Sequence, residues 1–262
     1  MTDAKQIAKY VSIGAGIFMI ILAICLIATA IGRSMPATGD TWRYEPEDYS
    51  GISSLKLELG AGEIKIEQGD RFLVVSNLRY VDVKVEDNTL LISERTHAAS
   101  DYEGAFFTMY IPEKMSLAEI DISTGAGTFD ADKLSAEALG FEFGAGEVNI
   151  DELYATREAE IVGGAGQITI GGGELHNLEL VMGVGQLNLT SKIVGEGELD
   201  LGVGEVNITL LGGQDSYTVE MNKGIGDITV NGESLSGNRT IGMGDSFVEV
   251  NGGIGSVNIA FK

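Results

Sequence analysis

The sequence predicts an all-β protein: a single β-solenoid, β-helix-like, of about 19 residues per coil, with an irregular N-terminal β cap and one transmembrane α-helix ahead of it. Three observations lead there. A Gly-x-Gly motif recurs at near-constant spacing, the residues around it alternate apolar and polar with the period of a strand, and one long uncharged apolar run stands near the start.

That run, Val11 to Ile31, reads VSIGAGIFMIILAICLIATAI. At about 1.5 Å per residue a helix of this length matches a hydrocarbon core of about 30 Å. Tyr10 and Arg33 stand at its ends, where aromatic and basic side chains favour the membrane interface. The predicted organisation is therefore a tail over 1–9, a membrane helix over 10–32, a linker over 33–52, a cap over 53–118 and the regular solenoid over 119–262. Two alternatives stand beside the helix. Ala28-Thr29-Ala30 has the form of a cleavage site, although the run exceeds the roughly 7–15 apolar residues of a signal peptide. Leu22-Ala23-Ile24-Cys25 has the form of a lipoprotein box, but with Ile24 where a small residue belongs. Lys5 and Lys9 balance Arg33 and Arg43, so charge leaves the orientation open. The linker carries Pro36, Pro46 and the single tryptophan, Trp42.

The motif begins at Gly60, Gly125, Gly144, Gly164, Gly183, Gly202, Gly224 and Gly253, and from Gly125 to Gly224 successive starts differ by 19, 20, 19, 19 and 22. Side chains of a strand point alternately to its two faces. Three places before the first glycine stand Ile122, Phe141, Ile161, Leu180, Leu199 and Met221. Four and six places after it stand pairs such as Ile168/Ile170 and Leu187/Leu189. These columns predict the core. The middle residue of the motif, from Ala126 to Ile225, continues the inward parity of the preceding strand, and glycine suits the corner because it reaches positive φ and admits close approach of neighbouring coils. Leu134, Leu153, Leu175, Ile193 and Leu211 predict a third wall. Leu55 to Met115 breaks the period and is expected to form the cap.

The outward positions form columns too. Asp130, Asn149, Thr169, Asn188, Asn207 and Thr229 make a polar ladder, expected to be a stacking face rather than a glycan contact; the Asn-x-Thr triplets at Asn188 and Asn207 fall within it. Asp121, Glu160, Glu179, Glu198 and Glu220 share another column, interrupted by Gly140, and Glu142 and Asp200 lie two places further on. Like charges at about 5 Å in water repel by only about 0.8 kcal/mol. Such a stripe therefore persists as a solvated face that gathers counterions, or serves a cationic peptide, a divalent cation or an envelope protein.

Composition narrows the function. The formal charge of −22, from 39 acidic and 17 basic residues, opposes binding to nucleic acid, which needs basic side chains against phosphates. Every Gly-x-Gly is followed by strand-like sequence, so no glycine loop opens a helix to cradle a nucleotide. No cofactor is expected. The one cysteine, Cys25, excludes internal disulfides and cysteine zinc sites. His97 and His176 occupy unrelated positions, and Tyr154, Arg157 and His176 form no catalytic constellation, so an enzyme is not expected, although some solenoids cleave polysaccharides.

Three segments, the opening LKLELGAGEIKIEQG, then VEDNTLLISE, then Ile111-Pro112 before the regular coils, resemble the bacterial β-strand-repeat family of unknown function known as putative adhesin. The resemblance covers about 53–261 and implies an envelope-exposed β-solenoid, sometimes linked to envelope-stress signalling. On that basis the chain is expected in the cell membrane with its β domain extracytoplasmic, presenting an acidic wall. The alternative role is a regulatory subunit acting laterally on a membrane sensor.

Overall fold

The computed structural model describes residues 35–46, 51–95, 100–113 and 115–262. The strands within them are β1 (Met35–Pro36), β2 (Thr38–Tyr44), β3 (Ser54–Gly69), β4 (Leu73–Leu78), β5 (Val81–Glu86), β6 (Thr89–Glu94), β7 (Ser100–Asp101) and β8 (Phe106–Pro112). They continue with β9 (Leu117–Ile170), β10 (Gly173–Leu210), β11 (Tyr217–Asn222), β12 (Ile225–Val230), β13 (Glu233–Leu235), β14 (Arg239–Ile241), β15 (Ser246–Asn251) and β16 (Ile254–Phe261). β9 and β10 are long because the chain keeps its ladder bonds as it rounds each corner.

The regular coils lie parallel on one another and keep their register at the corners, with one shift between Leu175 and Leu178. Ala61 pairs with Ala126, Val184 with Ala165 and Leu187 with Ile168. The glycine corners stack directly. Gly166, Gly185 and Gly204 have φ of 133°, 137° and 150°, and a Cβ on any of them would overlap the carbonyl of the corner glycine in the adjoining storey. Only glycine meets both demands.

The alternation becomes burial. Ile161, Leu180, Leu199 and Met221 are completely inaccessible, as are Leu153, Leu175 and Leu187. Larger and smaller side chains interlock in the shaft: Phe129 and Phe143 meet at 5.2 Å between ring centroids, and the space beside Gly163 is taken by Met182 and Ile168. Of the expected third wall, Leu134, Leu153, Leu175 and Ile193 are buried while Leu211 is only half-buried. There the chain leaves the repeat at Gly212-Gly213, and the fully buried Tyr217 fills the shaft, its hydroxyl donating to the Leu211 carbonyl at 2.6 Å.

The storeys do not follow the order of the chain. β16 lies between β10 and β12, with Val203 paired to Ile254 and Ile254 to Ile225; β15 likewise lies between β10 and β11. At the other end β3 sits between β9 and the pair β6 and β8. Both ends are closed by antiparallel strands, β13 and β14 at one, β5, β4 and β2 at the other. Exposed backbone edges invite pairing with other chains, and these short or charged strands blunt them. The β5 edge carries Lys84 bonded to Glu86, and Asp82 bonded to Arg95.

Three expectations are corrected. The fold class is corrected to all-β for the described residues: among them no helix is long and apolar enough to cross a membrane, and their helical content is one 3-10 turn, Gln214–Ser216. The 10–32 segment itself lies outside the described residues. The region 33–52, expected as linker, contains β2, whose Trp42 indole donates to the Leu78 carbonyl at 2.7 Å and packs against the core. The middle residue of each glycine corner points outward: Val184, Val203 and Ile225 are exposed, because the inward run ends one place before the first glycine, at Met182 and Leu201. His97 lies outside the described residues; His176 bonds Glu174 on a return, which Lys192 also pairs.

Candidate functional site

A straight column of carboxylates runs along one wall because the same offset from the glycine corner places one side chain per storey on the same outward face. Glu160 pairs with Glu179, Glu198 with Glu249, and Glu249 with Glu220. The column therefore reads Glu160, Glu179, Glu198, Glu249, Glu220, at the inter-strand spacing of about 4.8 Å. Glu160, Glu179 and Glu198 are exposed, and Glu220 and Glu249 are half-buried. Among the described residues none of the five forms an ion pair.

The column changes character at its other end. Asp121 pairs across the ladder with Lys56, whose ammonium also bonds Glu58 at 3.0 Å. Hydrogen bonding and charge from Glu58, with smaller contributions from Asp121 and Glu119, hold the Lys56 pKa above the usual lysine value. Gly140 lacks a side chain between Asp121 and Glu160. The result is an open notch of about 290 Å³ bordered by Glu58, Asp121, Glu142 and Glu160.

Glu142 and Asp200 occupy the neighbouring row, where Val162 and Val181 pair between their storeys, so they do not meet. Asp200 instead accepts from the Asn251 amide at 2.8 Å. Asn222 donates to Asn251 and to Glu249 at 2.9 and 3.0 Å. Of the residues read from sequence, Asp121, Glu160, Glu179, Glu198 and Glu220 thus share a column, and Glu142 and Asp200 lie beside it. Glu249 completes it. It stands four places before Gly253, the same offset as the others, and that offset is the signal that finds it.

Crowding shows in one group. Burial, then the charges of Asp200, Glu249 and Glu179, push the Glu198 carboxyl above its ordinary range. Carboxylates spaced in a line converge on no single point, and among the described residues no group of three or more His, Cys, Asp and Glu is placed to hold a metal ion. Their field suits an extended charge better than one ion.

The polar ladder on the next wall is self-satisfied. Asn207 donates to Asn188 at 3.0 Å and to Glu205 at 3.1 Å, and accepts from Asn258 at 2.9 Å; Thr229 donates to Asn258 at 2.8 Å. These amides are committed to one another.

Fold and wall together define a class: a repeat-built parallel β-stack with one charged outer face. The pattern of the Toastrack DUF4097 family matches residues 44–259, and the chain belongs to that family. Similar solved structures include a putative cell adhesion protein from Clostridium sporogenes, 19% identical with a TM-score of 0.41, covering 85% of this chain and 99% of that one. A putative adhesin from Bacteroides fragilis is 14% identical with a TM-score of 0.49, over 86% and 100% of the two chains. A putative lipid binding protein from Parabacteroides distasonis is 15% identical with a TM-score of 0.38, over 88% and 100%. No curated protein matches the chain.

Proposed function

We propose that this chain is an adhesin-like, non-catalytic binding module of the cell envelope that presents its carboxylate column to a polycationic partner outside the cytoplasm. The observation that carries the reading is the run of five carboxylates in adjacent storeys, Glu160, Glu179, Glu198, Glu249 and Glu220, none of them ion-paired among the described residues. A cationic side chain on each gains about 0.3 kcal/mol at such exposure, so five together give roughly 1.5 kcal/mol, about tenfold in affinity. Charges beyond about 8 Å are screened at physiological salt, so binding falls as salt rises.

Titrating the full chain with an oligolysine of defined length tests this. Replacing the five glutamates by glutamine is expected to weaken binding about tenfold and to flatten its salt dependence. Binding that this variant leaves unchanged removes the proposal.

A further inference from the structure

The outward residue of each glycine corner forms a second column, and its chemistry changes along the stack. The lower storeys carry Ala126, Ala145 and Ala165. The next four in space carry Val184, Val203, Ile254 and Ile225, which are 41%, 47%, 52% and 74% exposed. A contiguous ridge of branched apolar side chains, protruding further at each storey, is a costly surface to leave in water and serves no packing role inside the molecule.

Its borders are acidic. Asp200 precedes Val203 by three places and Glu205 follows it by two; Asp227 follows Ile225 by two. Glu205 and Asp227 are exposed, and among the described residues none of the three forms an ion pair. Lys223 is the one basic residue in the sequence between Asp200 and Asp227. A second copy of this chain, or an anionic bilayer, would bring negative charge against these carboxylates. A partner with both an apolar stripe and basic flanks would neutralise them as it covers the ridge. The spacing selects its form. Storeys repeat every 4.8 Å or so, near the roughly 5.4 Å turn of an α-helix and far from the roughly 6.6 Å between same-face residues of an extended strand. Four storeys span about 14 Å, the length of about ten helical residues.

We propose that the ridge of Val184, Val203, Ile254 and Ile225 docks the apolar stripe of a basic amphipathic helix. The inference rests on the polycation-binding reading and adds the shape of the partner to it. Two peptides with the same number of lysines, one a Leu/Lys amphipathic helix and the other oligolysine, are titrated against the full chain and against its Val203→Ser, Ile254→Ser, Ile225→Ser variant. The expected result is at least tenfold tighter binding of the amphipathic peptide, an advantage that the variant loses while oligolysine binding stays the same. Equal affinities for the two peptides, or an advantage the variant keeps, overturn the proposal. Oligolysine that does not bind at all sinks the underlying reading instead. Sedimentation of the wild-type chain as a dimer that the ridge variant dissociates overturns it in favour of a second copy. The single change Ile225→Ser, at the most exposed ridge position, is expected to remove part of the advantage without disturbing the fold.

Discussion

Glu198 pairs across the sheet with Glu249, and Glu220 pairs with Glu249 from the storey on its other side. The three carboxylates come from three passes of the chain along the same wall, and Glu198 stands between Glu249 and Glu179 with Asp200 beside it.

Acid should relieve that crowding. Burial and the charges of Asp200, Glu249 and Glu179 raise the folded-state pKa of Glu198 above its ordinary 4.5, so between those two values the folded state binds more protons than the unfolded one. Stability from this group therefore falls as pH rises through that window and recovers as pH falls. Thermal unfolding of the wild type should lose midpoint between pH 4.5 and neutrality relative to Glu198→Gln. Parallel curves for the two proteins refute the assignment.

The order of storeys can be locked chemically. With Cys25 replaced by serine, cysteines at Asn207 and Asn258, whose amides bond at 2.9 Å, should oxidise to an internal disulfide. Cysteines at Asn207 and Thr229, separated by the intervening β16 storey, should not. Disulfides are confined to Cα separations of about 4.4–6.8 Å, so the mobility shift on a non-reducing gel reports which storeys are neighbours.

At the corners the backbone sets the tolerance. Gly185→Ala meets both a φ of 137° and the Gly166 carbonyl, and denaturant unfolding should show a loss of more than about 3 kcal/mol or no folded protein at all. Gly51, with open space where its Cβ would stand, should accept alanine within about 0.5 kcal/mol.

Inside and outside columns should separate in the same assay. Leu187→Ala empties a fully buried site and is expected to cost about 2–5 kcal/mol. Val184→Ala, on the exposed ridge, should change stability by no more than about 0.5 kcal/mol.

The polar ladder makes a pH-dependent prediction. Asn207→Asp removes both donated bonds and sets a carboxylate against Glu205 and the Asn188 oxygen, for a loss of about 1–3 kcal/mol at neutral pH. The loss should shrink in acid, when that carboxyl is protonated; an effect that stays constant with pH assigns the cost elsewhere.

Much of this molecule can be read from the period of its motif. The offsets that mark Ile161, Leu180 and Leu199 as core, and Glu160, Glu179 and Glu198 as one outer column, follow from strand alternation and a fixed glycine corner. The order of the storeys cannot be read that way. The coils around Gly224 and Gly253 carry the same corner and the same inward spacing, so either fits over β10, and periodicity gives the register without the sequence of floors. The outward turn of Val184 and its neighbours was hidden for a related reason: parity counts residues along a straight strand, and the corner resets the count. Trp42 lies in a stretch with no apolar period, since an edge strand that reaches the core through Trp42 and Tyr44 alone leaves too little pattern to detect.

The position of β15 and β16 bears on how the molecule is made. A chain emerging from the ribosome presents the segment of β11 and β12 before the one that belongs beneath it, while the upper edge of β10 already offers a matching corner. Newly made protein must either hold that segment back or seat it early and later lift it away. Growth from one end therefore cannot assemble this molecule in a single upward sweep, and its completion waits for the last two strands of the chain to slot between earlier ones.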